Sequence, residues 1–307
     1  MIAEFKSLYD LFAAIPDEQA AINYFKGIRW KTGEFCPYCG HDKIYPFSDG
    51  KTWKCAQCRD RFSIRVGTVF EDSKIPIRKW LAAIWFITSH KKGIASTALA
   101  KDLNVTQKTA WFMLHRLRHA ARTRSFNRRL DGRVEIDETF VGGKAKNRHI
   151  GKRGKGGQTG GAGKAIVLGM LERGGELRTM HVADLKAKNL QATVDRNVNP
   201  GAAVITDEYV SYHGLDAKYQ HHTINHSQGE YVRDGFVHTN SIEGVWALLK
   251  RQIYGIHHFV SSKHLHRYIS EATWRFNRRN VKDAPRMVEF LGRTDGRLRY
   301  RELIAKV

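Results

Sequence analysis

The sequence predicts a mixed α/β domain in its second half, preceded by a small turn-rich module carrying the cysteines and by a helical module. That expectation rests on three features of the chain. Apolar runs with strand character between Arg133 and Thr206 give way to helical periodicity from Asn240 onward. All four cysteines fall in an aromatic, turn-rich stretch between Phe35 and Phe70. Between those regions, Ile77 to Arg124 has a helical pattern.

Taken in order, residues 1–30 read as a helical lead-in. Leu8, Phe12 and Ala13 recur at helical spacing before Pro16, as do Ala21, Ile22 and Phe25 after it. In residues 31–72, Gly40, Asp49-Gly50 and Gly67 are turn formers, which suits short strands. In residues 73–125, Trp80, Leu81, Ile84, Trp85 and Thr88 mark a helix closed by His90-Lys91-Lys92-Gly93, and two more helices follow, separated at Asn104-Val105. Residues 126–307 form the mixed α/β domain. Val134 and Ile136 alternate in a strand from Arg133 to Val141, and Ala165 to Leu171 is a compact buried strand. Glu176 to Val182 and Ala202 to Thr206 are further strands with a helix near Asn189 to Asn197 between them, and 240–307 is a C-terminal helical part. The stretch 142–163, with nine glycines and several Lys and Arg, reads as a flexible basic loop, either a solvated linker or a DNA contact.

Charge narrows the function. Lys and Arg total 52 against 30 acidic residues, a net charge of +22, while 42% hydrophobic and 11% aromatic residues exclude a disordered polycation. A folded protein this basic meets a polyanion, and nucleic acid is the usual one. No run of 18 apolar residues offers a membrane span, and the first residues lack the pattern of a signal peptide, so the expected compartment is the cytoplasm, at the nucleoid.

Cys36-Pro-Tyr-Cys39 and Cys55-Ala-Gln-Cys58 are two C-x2-C knuckles separated by fifteen residues. Two facing knuckles supply a tetrahedral set of four thiolates, the set that zinc favours. A redox pair would occur once, on a strand-to-helix turn, and a cytoplasmic protein does not keep two disulfides. One structural zinc per chain is therefore expected, closed to substrate water by its fourth thiolate. Downstream, residues 94–118 read as a helix-turn-helix: Leu99, Leu103 and Val105 anchor the first helix and turn, Thr106 caps the second helix, and Ala110, Leu114 and Leu117 line its buried face. That leaves Gln107, Lys108 and Thr109 to meet base edges, and Arg116 and Arg118 to hold phosphates.

Three acidic residues stand in distinctive settings. Asp137 lies on the strand face opposite Val134 and Ile136; Asp207 ends an apolar strand; Glu243 starts a helix whose apolar face is Ile242, Val245, Trp246 and Leu249. Glu138 and Glu208 are adjacent surface acids, and Glu243 also suits a helix-capping pair with Asn240. Together the three can converge on two divalent cations, magnesium or manganese, that serve an in-line phosphoryl transfer on DNA.

With Arg29-Trp30, the cysteine knuckles, Glu135-Ile-Asp-Glu-Thr-Phe-Val-Gly-Gly-Lys144, Thr206-Asp-Glu-Tyr209, Asn240-Ser-Ile-Glu-Gly-Val-Trp246, Tyr268 and Arg275-Phe-Asn-Arg-Arg279, the chain resembles the bacterial insertion-sequence transposases that carry an N-terminal zinc ribbon and a DDE catalytic domain. The resemblance implies an RNase H-like fold with Asp137, Asp207 and Glu243 as a metal-binding triad. Lys250, on the same helical face as Glu243, matches a family lysine that would hold a phosphate of the element's end. It further implies double-stranded DNA partners, both element ends and target, and a homodimer or larger synaptic complex. The rival readings are an RNase H-like endonuclease that cuts without joining, and an inactive relic acting as a DNA-binding regulator.

Overall fold

The computed structural model describes residues 5–122, 128–143, 161, 163–225 and 228–305. Most of the basic loop expected over 142–163 therefore lies outside the described residues. Two compact units divide the chain: one combines residues 1–122 with 278–307, and the other is 123–277.

The first unit opens with α1 (Leu8–Ala14) and α2 (Glu18–Arg29), capped by the side chains of Ser7 and Asp17. A three-stranded antiparallel sheet follows, β1 (Ile44–Pro46), β2 (Thr52–Cys55) and β3 (Arg61–Ser63). Phe62 and Trp53 stack there, and Trp30 meets Trp53 edge-on, giving this small sheet an aromatic core. Then come α3 (Ile77–Ser89), apolar on nearly every side, α4 (Ser96–Leu103) and α5 (Gln107–Ala121). Asn104, left-handed at φ 48°, ends α4, and the Thr106 hydroxyl accepts the Thr109 N–H to start α5.

The second unit is a five-stranded mixed sheet: β4 (Arg133–Val141), β5 (Ala165–Glu172), β6 (Leu177–Val182), β7 (Ala203–Asp207) and β8 (Gln220–Ile224). Strand order is β6-β5-β4-β7-β8, antiparallel through the first three and parallel from β4 to β8. The helices are α6 (Ala187–Asn197), α7 (Asn240–Gln252), which runs into a π-helical turn at Ile253–His257, and α8 (Ser262–Asn277). Strand alternation divides the core between two faces. Val134, Ile136, Leu168 and Met170 pack with Leu190 and Val194 of α6. Val141, Val167 and Leu171 pack with Ile242, Val245 and Trp246 of α7 and Leu265 and Ile269 of α8. The mixed α/β layer expected from the sequence is thus present, with helices on both faces of the sheet.

The C-terminal helical part expected as one piece over 240–307 divides at Asn277. Beyond it, α9 (Asp283–Leu291) and α10 (Tyr300–Ile304) belong to the first unit. Ala284, Met287, Phe290 and Leu291 are buried, Arg286 donates to the Thr88 carbonyl at the end of α3, and Thr68 bridges Asp295. The apolar face of α9 is covered by α3 and its surroundings, and that is why the chain returns there.

Candidate functional site

Register brings two of the acids together. β4 and β7 run parallel with Glu135 opposite Ile205, and the same register carried two residues further sets Asp207 level with Asp137. Adjacent strands lie about 4.8 Å apart, and residues level with each other point to one face. That face is the one α7 covers: Trp246 Nε1 donates to Asp137 Oδ2 at 2.8 Å. Glu243 is one turn earlier on α7, exposed, and its Oε1 accepts the Thr239 hydroxyl at 3.0 Å. Thr239, rather than Asn240, stands at the N-cap, so the capping contact of Glu243 runs to a different residue from the one the sequence suggested.

The charges of the other two acids are felt at Asp137. Burial raises Asp137 to about 6; the Glu138 amide and the Trp246 indole oppose the shift, and the negative charges of Asp207 and Glu243 add to it. Glu138 points to the α6 face, where the Tyr212 hydroxyl donates to it at 2.7 Å, yet burial and the charges of Asp207 and Asp137 raise it to about 7. It is therefore half-buried and feels the charges of Asp207 and Asp137, although its side chain lies on the other face of the sheet. Carboxylates offer only oxygen, the donor that suits hard divalent cations such as magnesium or manganese. Lys250 is exposed, two turns along α7 from Glu243.

The cysteines form a second, self-contained cluster. The ligand atoms of Cys36, Cys39, Cys55 and Cys58 all lie within 4.8 Å of one another. Sulfur separations of 3.7 Å (Cys36 to Cys58) and 3.6 Å (Cys39 to Cys55) are far too long for disulfides, and they match the edge of about 3.8 Å of a tetrahedron with ~2.3 Å Zn–S bonds. Each knuckle is closed by a backbone bond, Cys36 N–H to the His41 carbonyl and Cys55 N–H to that of Asp60. Each also needs a left-handed residue after its second cysteine: Gly40 at φ 77° and Arg59 at φ 66°. Burial works against ionisation of Cys55, but the N–H groups of Cys58 and Gln57, with the thiols of Cys39 and Cys58, outweigh it and bring the thiol down to about 6.

On α5 the expected DNA contacts separate into two groups. Gln107 and Lys108 are exposed and Thr109 half-buried at the helix start. All three have partners within the unit: Gln107 Nε2 donates to Ser96 Oγ at 2.9 Å, Lys108 Nζ lies 5.3 Å over the Tyr300 ring, and Thr109 Oγ1 is 2.9 Å from Thr106 Oγ1. Arg116 and Arg118 are buried, which corrects their assignment to phosphates. Arg116 donates to the carbonyls of Val69 and Glu71, each at 2.9 Å, and lies on the Phe112 ring, so its charge satisfies a turn inside the unit.

The two sites coincide with two family models. Residues 129–277 match the ISXO2-like transposase domain, and residues 16–61 match the transposase zinc-ribbon domain. The chain belongs to the insertion-sequence transposases with an N-terminal zinc ribbon. Curated relatives agree with that placement. A protein of transposable element ISH50 from Halobacterium salinarum is 28% identical over 265 residues, 82% of this chain and 88% of the relative. A transposase-like protein from Haemophilus influenzae is 29% identical over 105 residues, covering 34% of this chain and 83% of the relative. The domain match in the transposase ends at residue 277, where the second compact unit also ends. The zinc-ribbon match and the four-thiolate cluster together mark a structural zinc site. Among the described residues no helix is long and apolar enough to cross a membrane.

Several residues around the transposase's carboxylates had gone unread in its sequence. Glu135, fully buried on the same face of β4 as Asp137, accepts the Ile242 N–H at 2.9 Å and Arg173 Nε at 2.6 Å. Gly169 pairs with Asp137 across β5, and a Cβ there would come within 2.5 Å of the Trp246 ring, so glycine makes room for the indole that bonds Asp137. A signal for Glu135 existed: in Val134-Glu-Ile-Asp, two acids share the strand face away from the apolar pair. The family-like residues farther along hold the unit together. Arg275 pairs with Glu271 and donates to Gln252 at 2.7 Å, and Asn277 bonds both backbone groups of Leu177.

Proposed function

We propose that this transposase binds the terminal inverted repeats of its element, hydrolyses a phosphodiester at each end to free a 3′-hydroxyl, and joins that hydroxyl to target DNA. The reading is supported by the register that sets Asp207 level with Asp137 on the sheet face that α7 covers, and by the charges of Asp207 and Glu243 felt at Asp137. Two magnesium or manganese ions bound by these carboxylates would supply activation of the attacking oxygen and stabilisation of the leaving one. The chain's own part is to fix the spacing of the acids: two on hydrogen-bonded strands, the third on a helix tied to one of them. Residues 123–277 would be the RNase H-like catalytic unit, and Lys250 would hold a phosphate of the element's end. The ribbon and the exposed start of α5, with Gln107, Lys108 and Thr109, would contact the end sequence. Handling two ends together calls for a dimer or larger synaptic assembly.

The test is cleavage and joining of DNA carrying the inverted repeats that flank the gene, with magnesium. Asp137→Asn, Asp207→Asn and Glu243→Gln should each lose both steps by at least about hundredfold, because in-line transfer tolerates little misplacement, while end binding persists. Glu208→Gln, exposed, should stay near wild type. Wild-type cleavage by Glu243→Gln would remove that residue from the triad. For sequence reading, Lys108→Ala or Gln107→Ala should narrow the preference for end over random DNA, by about 1–3 kcal/mol for a base contact. An unchanged preference would move the reading elsewhere.

A further inference from the structure

We infer that Glu135, held by Arg173, is a positioning residue that fixes the first turn of α7 to strand β4 and thereby sets Glu243 against Asp137. The inference rests on the proposal that these carboxylates form the cation site. Glu135 is fully buried, and both of its oxygens are engaged. Oε2 accepts the backbone N–H of Ile242, the residue before Glu243, at 2.9 Å. Oε1 accepts Arg173 Nε at 2.6 Å and lies 3.5 Å from His238 Nδ1. The fork of Arg173 continues to the segment that enters α7, donating to the Phe236 carbonyl and, at 2.7 Å, to that of His238. Strand β4, the turn after β5 and the entry to α7 are thus joined through one carboxylate.

Two points separate this arrangement from ordinary core packing. The first four N–H groups of a helix lack partners within it, and the N-cap residue of α7, Thr239, makes no side-chain bond to them. Its hydroxyl goes to Glu243 instead, so a strand two residues from Asp137 caps the helix that carries Glu243. Second, a buried ion pair is a poor route to stability, and apolar side chains of similar volume are often neutral or better in its place. Val134 and Ile136 on either side show that this strand buries apolar residues readily. An acid at 135 secures orientation, since its two oxygens fix two directions. Glu135→Gln would turn an N–H2 toward either the Ile242 N–H or Arg173, donor against donor, and free the start of α7 from β4. Residues that orient metal ligands typically change metal affinity 10- to 100-fold when altered.

The experiment titrates Mn2+ against the zinc-loaded full chain without DNA, following free Mn2+ by electron paramagnetic resonance, with thermal melting in parallel. Wild type should bind Mn2+, and Asp137→Asn should abolish the binding. Glu135→Gln and Arg173→Lys should each weaken it about tenfold. Thr179→Val, which removes a half-buried hydroxyl contact with Thr273 in the same unit, should lower the melting temperature and leave Mn2+ affinity within twofold. Arg173→Lys keeps a charge beside Glu135 but cannot span the fork, and it decides the matter if Glu135→Gln does not fold. Mn2+ affinity within twofold of wild type in the folded variants would overturn the inference and leave Glu135 a packing residue. Equal Mn2+ binding by wild type and Asp137→Asn would instead overturn the cation-site reading, and this inference with it.

Discussion

The cysteine cluster draws all its ligands from residues 36–58, on two turns that repeat the same backbone bonds, whereas the acids come from residues 137, 207 and 243 on two strands and a helix. The first arrangement is local and, with four thiolates, closed. The second set comes together only after a sheet has paired and a helix has docked, and its acids stand exposed or half-buried. A local site depends on its ion to hold the chain; a dispersed one, in the role proposed for these acids, would depend on the chain to hold its ions.

The strongest way to break that contrast is to remove one ligand from the local site. Cys36→Ser should abolish zinc binding and unfold the ribbon, because structural zinc contributes on the order of 10 kcal/mol to folds of this size. Metal analysis should fall from about one zinc per chain to none, while residues 123–277 still melt cooperatively. Loss of both transitions together would mean the ribbon's fold is not supported independently.

A smaller effect probes the dispersed site through its scaffold. Gly169→Ala places a methyl 2.5 Å from the Trp246 ring and 3.0 Å from Ile242, displacing the helix that bonds Asp137. Overpacking of this kind costs about 1–3 kcal/mol. Melting should shift down, and cleavage should fall although no ligand has changed. Undiminished cleavage would show that the acids tolerate movement of α7.

The same two sites explain how much could be read from the chain. C-x2-C spacing exposes a site whose ligands are neighbours, and the cysteine set was legible in full. Asp137, Asp207 and Glu243 were legible as candidates because each ends or faces an apolar element. Their supports were not: Arg173 is 38 residues from Glu135 in sequence, and Ile242 is 107 away. Strand β8 escaped because Gln220-His-His-Thr-Ile224 lacks apolar alternation, which an edge strand pairing only with β7 does not need. Arg116 and Arg118 read as exposed because helical periodicity shows where the apolar stripe lies, not how much of the remaining surface neighbouring elements cover. The placement of α9 failed for the same reason: its apolar face was evident, the surface that receives it was not.

The smallest effect returns to the local site. Arg59 adopts φ 66° where the other knuckle has Gly40, a conformation costing a non-glycine residue roughly 1–2 kcal/mol. Arg59→Gly should therefore raise the ribbon's melting temperature modestly at constant zinc content, by up to about 1 kcal/mol once glycine's greater unfolded-state freedom is set against the relief. A lower melting temperature would mean that the arginine side chain contributes more than its backbone strain removes.

The division of the chain at residues 122 and 278 also dictates an order of synthesis. Residues 278–307 can be made only after the whole of 123–277, which at 5–20 residues per second takes on the order of ten seconds. Throughout that interval the apolar surface of α3 lacks α9, and the turn at residues 67–72 lacks Arg297, which pairs with Glu71 and Asp72. The central unit, continuous in the chain, can fold while the flanking one waits. On a translating ribosome, the half of the molecule that begins first is therefore completed last.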